Sequence, residues 1–145
     1  MNFKELKEEI LKRAKAIPAC ADEYEKAYKA ETAAELMEVV KDNFFWVCNE
    51  KVLDGDLIDK YAEIFNENEI YHNVNISKGF AIASDSATVR ASDSATVEAW
   101  GSAYINCHST IECKISEKSI ICRWNTNTIQ YCSDDLKFEK VEKSE

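Results

Sequence analysis

Glycine, proline and histidine are scarce in this chain, which has three, one and two of them among its 145 residues. The glycines lie far apart, so the sequence offers no glycine-rich phosphate-binding loop. It also has no glycine- and proline-rich linker, and we expect its parts to share a core. Neither His72 nor His108 stands in a recognisable catalytic pattern. The sequence therefore predicts neither an enzyme nor a cofactor.

Long apolar runs and excess positive charge are also missing. No run approaches the roughly 18 apolar residues of a membrane span. Residues 1–12 are charged and amphipathic, unlike a secretory signal, so we expect a cytoplasmic protein. With 27 acidic against 18 basic residues the net charge is −9, which disfavours nonspecific nucleic-acid binding. Plain solubility and an acidic surface that competes for a basic cleft are both compatible with this charge.

The chain has six cysteines, but none forms a C-x-x-C pair. In a cytoplasmic protein we expect free thiols rather than disulfides. A zinc site built from Cys107, His108 and Cys113 is the alternative. Neighbouring residues of a strand point to opposite faces, however, so Cys107 and His108 are poorly placed to share an ion. We predict no metal site.

Residues 1–69 have the apolar spacing of helices, three or four residues apart, and predict a small bundle of four. The first helix starts after Asn2 and ends at Pro18, and the second opens at Asp22. Thr32 opens a capping-box pattern for the third. Asp54 precedes the fourth, and it is a better helix cap than a first calcium ligand, because no ligand series follows it.

After residue 69 the apolar period becomes two, and an octapeptide repeat follows. Residues 84–91 and 92–99 share seven of their eight positions, and residues 100–107 keep the spacing with larger side chains. A degenerate fourth octet follows. We predict that the odd-numbered positions face inward: Ala87, Val89, Ala91, Ala95, Val97, Ala99, Ala103, Ile105, Cys107, Ile111, Cys113 and Ile115. Asp85, Asp93 and Gly101 occupy one equivalent place, where we expect turns.

These octets predict an α+β protein with helical residues 1–69, a β-repeat stack over residues 70–132 and a charged tail at 133–145. Two octets per turn would give a narrow β-solenoid with a 16-residue coil; an antiparallel β-meander is the alternative. Beyond Ser116 the pattern changes. Ile120, Cys122 and Trp124 suggest a one-residue shift of register, and Ile129 with Tyr131 suggests a shift back.

A stack of strands leaves unpaired backbone groups at its ends, and such edges pair with other chains. We therefore expect a homodimer formed through the C-terminal end of the stack, near residues 124–132.

The octets beginning at Ser84 and Ser92 resemble the Gly-Asn-Ala-Thr-Val-Glu-Ala-Tyr arrays of small uncharacterised proteins from gut bacteria and their phages. The opening segment is similar as well, through Leu11 to Ala16, Ala19, Cys20, Tyr24, Ala27, Ala30, Glu31, Glu35 and Leu36. The resemblance covers most of the chain. It implies a helical segment followed by an octapeptide array, and it supplies no catalytic residues.

The function that we expect from the sequence is protein binding without catalysis. Tryptophan and tyrosine are frequent interface anchors, and the candidate interface residues are Trp100, Tyr104, Glu98, Glu112, Trp124 and Tyr131. By analogy with phage proteins, the partner would be a host protein such as a nucleic-acid-handling defence nuclease, which the chain would inhibit. Two alternatives are a self-assembling scaffold and, more weakly, an ice- or surface-binding array through Thr88 and Thr96. Packing of Trp100 under the helices is a further alternative for that residue.

Overall fold

The computed structural model describes residues 3–17 and 21–132. Its helices are α1 (Phe3–Lys15), α2 (Ala21–Lys29), α3 (Ala33–Asp42), α4 (Phe44–Asn49), α5 (Gly55–Lys60) and α6 (Ala62–Glu67). Its strands are β1 (Ile70–His72), β2 (Phe80–Ala83), β3 (Thr88–Ala91), β4 (Thr96–Ala99), β5 (Tyr104–Cys107), β6 (Glu112–Ile115), β7 (Ile120–Arg123) and β8 (Thr128–Tyr131). The α+β class is confirmed. The expected cap at Asn2, the stop at Pro18 and the tail at 133–145 lie outside the described residues.

Two of the predicted helix starts are capped as the sequence indicates. Thr32 Oγ1 accepts a hydrogen bond from the Glu35 N–H at 3.2 Å, and Asp54 Oδ1 accepts one from the Leu57 N–H at 2.8 Å. The third and fourth predicted helices are each divided, at Asn43 and at Tyr61. Asn43 Nδ2 donates to the Val39 carbonyl at 2.9 Å, so its side chain competes with the backbone for the helical acceptor.

The strands alternate between two sheets, with order β1-β2-β4-β6 in sheet A and β3-β5-β7-β8 in sheet B. Strands 16 residues apart pair in parallel and in register, as in Val97↔Cys113 and Ile105↔Ile121. Consecutive octets therefore lie in different sheets, which is not the pairing of an antiparallel meander. Side chains between the two sheets form a narrow core of alanine, valine, isoleucine and cysteine.

The predicted inward positions of the octets form that core except Ala87, which is only partly buried, and Val89, Val97 and Ile105 are fully buried. The corners have the expected conformation. Asp85, Asp93 and Gly101 have φ of +58°, +54° and +68°, the left-handed region that aspartate and glycine tolerate best among common residues. Corners of this kind at these three positions, eight residues apart, turn the chain from one sheet to the other.

The sequence leaves the register beyond Ser116 ambiguous, and the one-residue shift that Ile120, Cys122 and Trp124 suggest does not occur. Ile121 is buried and pairs with Ile105, so odd-numbered residues still face inward in β7. Ile120 and Cys122 therefore lie on the outer face. The chain then reverses, and β8 runs antiparallel to β7 with Tyr131 opposite Ile120. The apparent shift arose because the last coil carries apolar residues on its outer side.

The helices pack on the outer face of sheet A. Ile70, Phe80 and Ile82, which point away from the core between the sheets, join the hydrophobic core of the helices. The Phe44 and Phe80 rings lie 4.8 Å apart between centroids. One face of sheet A is thus covered, while no residue of the four strands of sheet B joins the hydrophobic core of the helices in the described part of the chain.

Candidate interaction surfaces and a buried carboxylate

The structure separates the six predicted interface residues into two groups. Tyr104, Glu112, Trp124 and Tyr131 are exposed on the strand stack, with exposed fractions of 37% for Tyr104, 56% for Trp124 and 49% for Tyr131. Glu98 and Trp100 lie instead beside the helices on the side of sheet A. The expectation that Glu98 faces solvent is wrong, because it is only 7% exposed.

Five side chains form a continuous apolar surface on the outer face of sheet B, which we call the terminal patch: Tyr104, Ile120, Cys122, Ile129 and Tyr131. Strand register brings them together, since Ile120 lies between Tyr104 and Tyr131 and Cys122 lies beside Ile129. Ile129 is 52% exposed. Trp124, at the adjoining corner, meets the His108 ring edge-on at a centroid distance of 5.2 Å.

The inward side of the same coil combines the buried Ile121 with a polar residue, Arg123. Arg123 takes the inward position of Cys107 one coil later, and its Nη1 donates to the carbonyls of His108 and Ile111 at 2.9 and 3.0 Å. Arg123 Nε donates to Gln130 Oε1 at 2.6 Å. These hydrogen bonds close the end of the core with polar groups. The last coil therefore differs from the others: beside the buried Ile121 it has Arg123 at an inward position, and its outer side is apolar.

Glu98 is a carboxyl group buried between the helices and sheet A. Its outward position on β4 lies between Ile82 and Lys114, and Oε2 has no hydrogen-bond partner among the described residues. Burial raises the pKa of Glu98 to about 7, although Lys114 and Lys51 oppose the rise. At neutral pH this carboxyl is consequently divided between its protonated and ionised forms.

Each of these lysines also covers an aromatic ring of the same region. Lys51 Nζ lies 3.4 Å from the centroid of Trp100, and Lys114 Nζ lies 4.4 Å from the centroid of Phe45. Trp100 packs against the helical core, which is the alternative considered for it above. Glu98 and Trp100 thus belong to the contact between helices and stack rather than to an open surface.

The cysteines of the described residues are free thiols. Burial raises the pKa of Cys48, and it raises that of Cys113 to about 12, so both remain protonated and behave as small apolar side chains. No group of three or more histidine, cysteine or acidic residues in the described ranges is placed to hold a metal ion. Cys20 lies outside those ranges.

Sequence reasoning missed one cluster, Asp59, His72 and Ser84. His72 Nδ1 lies 2.9 Å from Asp59 Oδ1, and His72 Nε2 lies 2.7 Å from Ser84 Oγ. The three residues come from α5, the end of β1 and the residue after β2. A histidine at the end of an apolar strand, followed one strand later by a serine, is the only sign of this cluster that the sequence carries.

Comparisons of the chain with protein-family models, with curated proteins and with solved structures found no match. None of the helices in the described ranges is long and apolar enough to cross a membrane.

Proposed function

We propose that this chain is a protein-binding module in which a short β-solenoid presents the terminal patch to a partner. Parallel, in-register pairing of strands 16 residues apart supports the solenoid, because a repeating coil places equivalent residues on top of one another. The helices cover the outer face of sheet A. The binding face is the outer face of sheet B.

The apolar outer side of the last coil is the observation that carries this proposal. Fold stability alone favours apolar residues between the sheets and polar residues outside. Here Ile129, Tyr131 and Trp124 are about half exposed, while Arg123 occupies an inward position. An exposed apolar surface of this kind marks an interaction site more often than not. Aromatic side chains bury a large area at low conformational cost, which suits them to the centre of an interface.

The charge of the chain favours a basic partner. A net charge of −9 accelerates encounter with a positively charged protein and repels acidic ones. Within this proposal the terminal patch supplies contact area and the acidic surface supplies attraction over longer distances. Such an arrangement suits an inhibitor that occupies the basic cleft of a nucleic-acid-handling enzyme, as expected from the resemblance to phage proteins.

Self-assembly is the second candidate, and the edge of sheet A favours it. Strand β6 pairs with β4 on one side and has no neighbour on its other side among the described residues. An unpaired strand edge is a template for another chain. A homodimer would join two copies at this end of the stack, beside the terminal patch.

A pair of matched double variants tests the proposal. The patch variant replaces Ile129 and Tyr131 by serine, and the control variant replaces Val74 and Tyr28 by serine. Val74 and Tyr28 lie outside the terminal patch and are 45% and 64% exposed. Both remove one aliphatic and one aromatic side chain from the surface. Each tagged protein is used to capture partners from the native host at low and at moderate salt, and native mass spectrometry records its oligomeric state.

We expect the wild type and the control variant to capture the same stoichiometric protein, and the patch variant to lose it. Weaker capture at moderate salt would identify the electrostatic contribution. A partner that binds the patch variant and the control equally well contradicts the proposal. Loss of a homodimer in the patch variant alone, with no other protein captured, supports the self-assembly candidate instead.

A further inference from the structure

The side chains of Asp59, His72 and Ser84 form one hydrogen-bonded chain on the side of the molecule where α5 meets sheet A. The imidazole is central and enclosed, with 9% of its side-chain surface exposed, whereas the Asp59 carboxylate is 64% exposed. Ser84 is itself buried. The distances of 2.9 and 2.7 Å are those of well-formed hydrogen bonds.

The surrounding structure holds these groups in place. A Cβ atom on Gly55 would overlap the His72 ring, so the absence of a side chain at the first residue of α5 is what admits the imidazole. Ser84 is fixed from its backbone, where its N–H donates to Asn73 Oδ1 at 2.8 Å. The imidazole and the hydroxyl are therefore oriented by packing as well as by their mutual hydrogen bond.

The order carboxylate, imidazole, hydroxyl decides where the protons lie. An ionised carboxylate only accepts, so His72 Nδ1–H donates to Asp59. Nε2 of the neutral ring then carries a lone pair and accepts the Ser84 O–H. In this tautomer the imidazole can remove the hydroxyl proton, which is the arrangement that activates a serine as a nucleophile.

Ser84 also forms part of the wall of a pocket of about 230 Å³ beside α5. The other residues of the wall are Lys51, Asp54, Gly55, Asp56, Asp85 and Trp100. Three carboxylates and one ammonium group line the space. The pocket therefore favours uncharged or cationic molecules over anionic ones, and its volume suits a small molecule rather than a chain.

We infer that Ser84 is an acyl-accepting nucleophile, with His72 as its general base, and that the pocket takes small uncharged or cationic acyl esters. Ser84 Oγ attacks the acyl carbon while its proton moves to His72 Nε2. The carbonyl oxygen becomes an oxyanion, for which Lys51 is the positively charged group of the pocket. When the carbonyl re-forms, the bond to the leaving alcohol breaks and His72 returns the proton to that alcohol. Water then repeats the sequence and releases the acid and free Ser84.

Asp59 acts through His72 and is a positioning residue. Its carboxylate selects the tautomer that leaves Nε2 free to accept a proton, and it stabilises the imidazolium during attack. This inference is independent of the terminal patch, because the two surfaces share no residue.

The test uses the full chain and a fluorophosphonate probe, which forms a stable bond to activated serine hydroxyls. Intact mass and peptide mapping report the number and position of adducts, with chymotrypsin labelled in parallel. We expect one adduct, on Ser84, and none in Ser84→Ala. Ser86→Ala is the matched control, since Ser86 is an exposed serine of the same corner, and it should label like the wild type.

Absence of an adduct on Ser84 in the folded wild type, under conditions that label chymotrypsin completely, overturns the inference. This outcome does not depend on whether Ser84→Ala folds. In Asp59→Asn the labelling rate should fall at least tenfold with a displaced pH profile, and an unchanged rate and profile would remove Asp59 from the arrangement. Release of 4-nitrophenol from 4-nitrophenyl acetate, lost in Ser84→Ala and kept in Ser86→Ala, provides the readout of turnover.

Discussion

The buried carboxyl of Glu98 should make the free energy of unfolding depend on pH. Its pKa is raised to about 7 in the folded chain, against 4.5 when it is free in water. Between these values the folded state binds more protons than the unfolded state. Stability therefore falls as pH rises through this window. The contribution is fully present below about pH 4.5 and is lost above about pH 7.

The size of this change in the free energy of unfolding follows from the pKa shift of Glu98. One pKa unit corresponds to about 1.4 kcal/mol, so the full shift has an upper bound of about 3 kcal/mol. Part of this change in stability occurs below pH 5, outside the range measured. The Glu98 residue is also 7% exposed, and solvent reduces the effect. We therefore expect that the wild type loses about 2 kcal/mol relative to Glu98→Gln between pH 5 and pH 8. The glutamine has a similar shape and carries no titrating group.

Urea unfolding followed by tryptophan fluorescence at several pH values between 5 and 8, at constant ionic strength, measures this difference. The attraction of ionised Glu98 to Lys51 and Lys114 is already contained in its pKa shift, so the slope of the wild-type curve relative to that of Glu98→Gln is the informative quantity. Glu112→Gln is the control, because Glu112 is an exposed glutamate on the neighbouring strand. Parallel pH curves for the wild type and Glu98→Gln would refute the reasoning, as would an equal change in slope for Glu112→Gln.

Two pairs of substitutions test the packing and capping described above. Ile105→Ala empties a fully buried position between the sheets and should lower the free energy of unfolding by about 3 kcal/mol in urea. Ile129→Ala, at a half-exposed position, should lower it by less than about 0.5 kcal/mol. Equal losses for the two variants would contradict the assigned register. Asp54→Ala removes the hydrogen bond to the Leu57 N–H and the ion pair with Arg13, and it should cost about 1 kcal/mol. Asp54→Asn keeps the cap and should recover most of that loss when both variants are compared by urea unfolding.

The strand spacing and the inward residues of the first coils could be predicted because each octet repeats one local solution. Alternation of residues such as Val89 and Arg90 shows the inward face, and Asp85 and Asp93 mark the corners. Stacking then gives each repeat the same environment as its neighbour. Local pattern and overall structure agree in this part of the chain, which is the condition under which sequence reasoning works best.

Prediction failed in the last coil for a physical reason. Periodicity locates the apolar face of a strand, but it does not show whether that face is buried or offered to a partner. The apolar Ile120 and Cys122 therefore suggest a shift of register, whereas in the structure Arg123, whose guanidinium satisfies carbonyls at the core's end, occupies the inward position. The same limit applies to Glu98, whose neighbours come from a distant helix.

The division of the helices at Asn43 and the cluster around His72 were also invisible to sequence reasoning. Asn43 is a single residue in a strongly periodic segment, and its effect depends on its side chain reaching Val39. His72 meets Asp59 only when α5 packs against β1, and it meets Ser84 only when β2 pairs with β1. Asp59 lies 13 residues before it and Ser84 lies 12 residues after it, and no local spacing rule joins them.

The 16-residue offset between paired strands has a consequence for how such a chain can change in length. An insertion of 16 residues after Ile115 adds one strand to each sheet, and the terminal patch stays on the same side, about 4.8 Å further from the preceding coil. An insertion of eight residues instead exchanges the two sheets beyond that point, and the patch moves to the opposite side of the molecule. Duplication of a whole 16-residue coil therefore changes the distance of the patch from the preceding coil, whereas duplication of a single octet changes the side of the molecule on which the patch lies. Under the proposed function, an even number of inserted octets keeps the proposed binding face on its side of the molecule, and an odd number moves it to the other side.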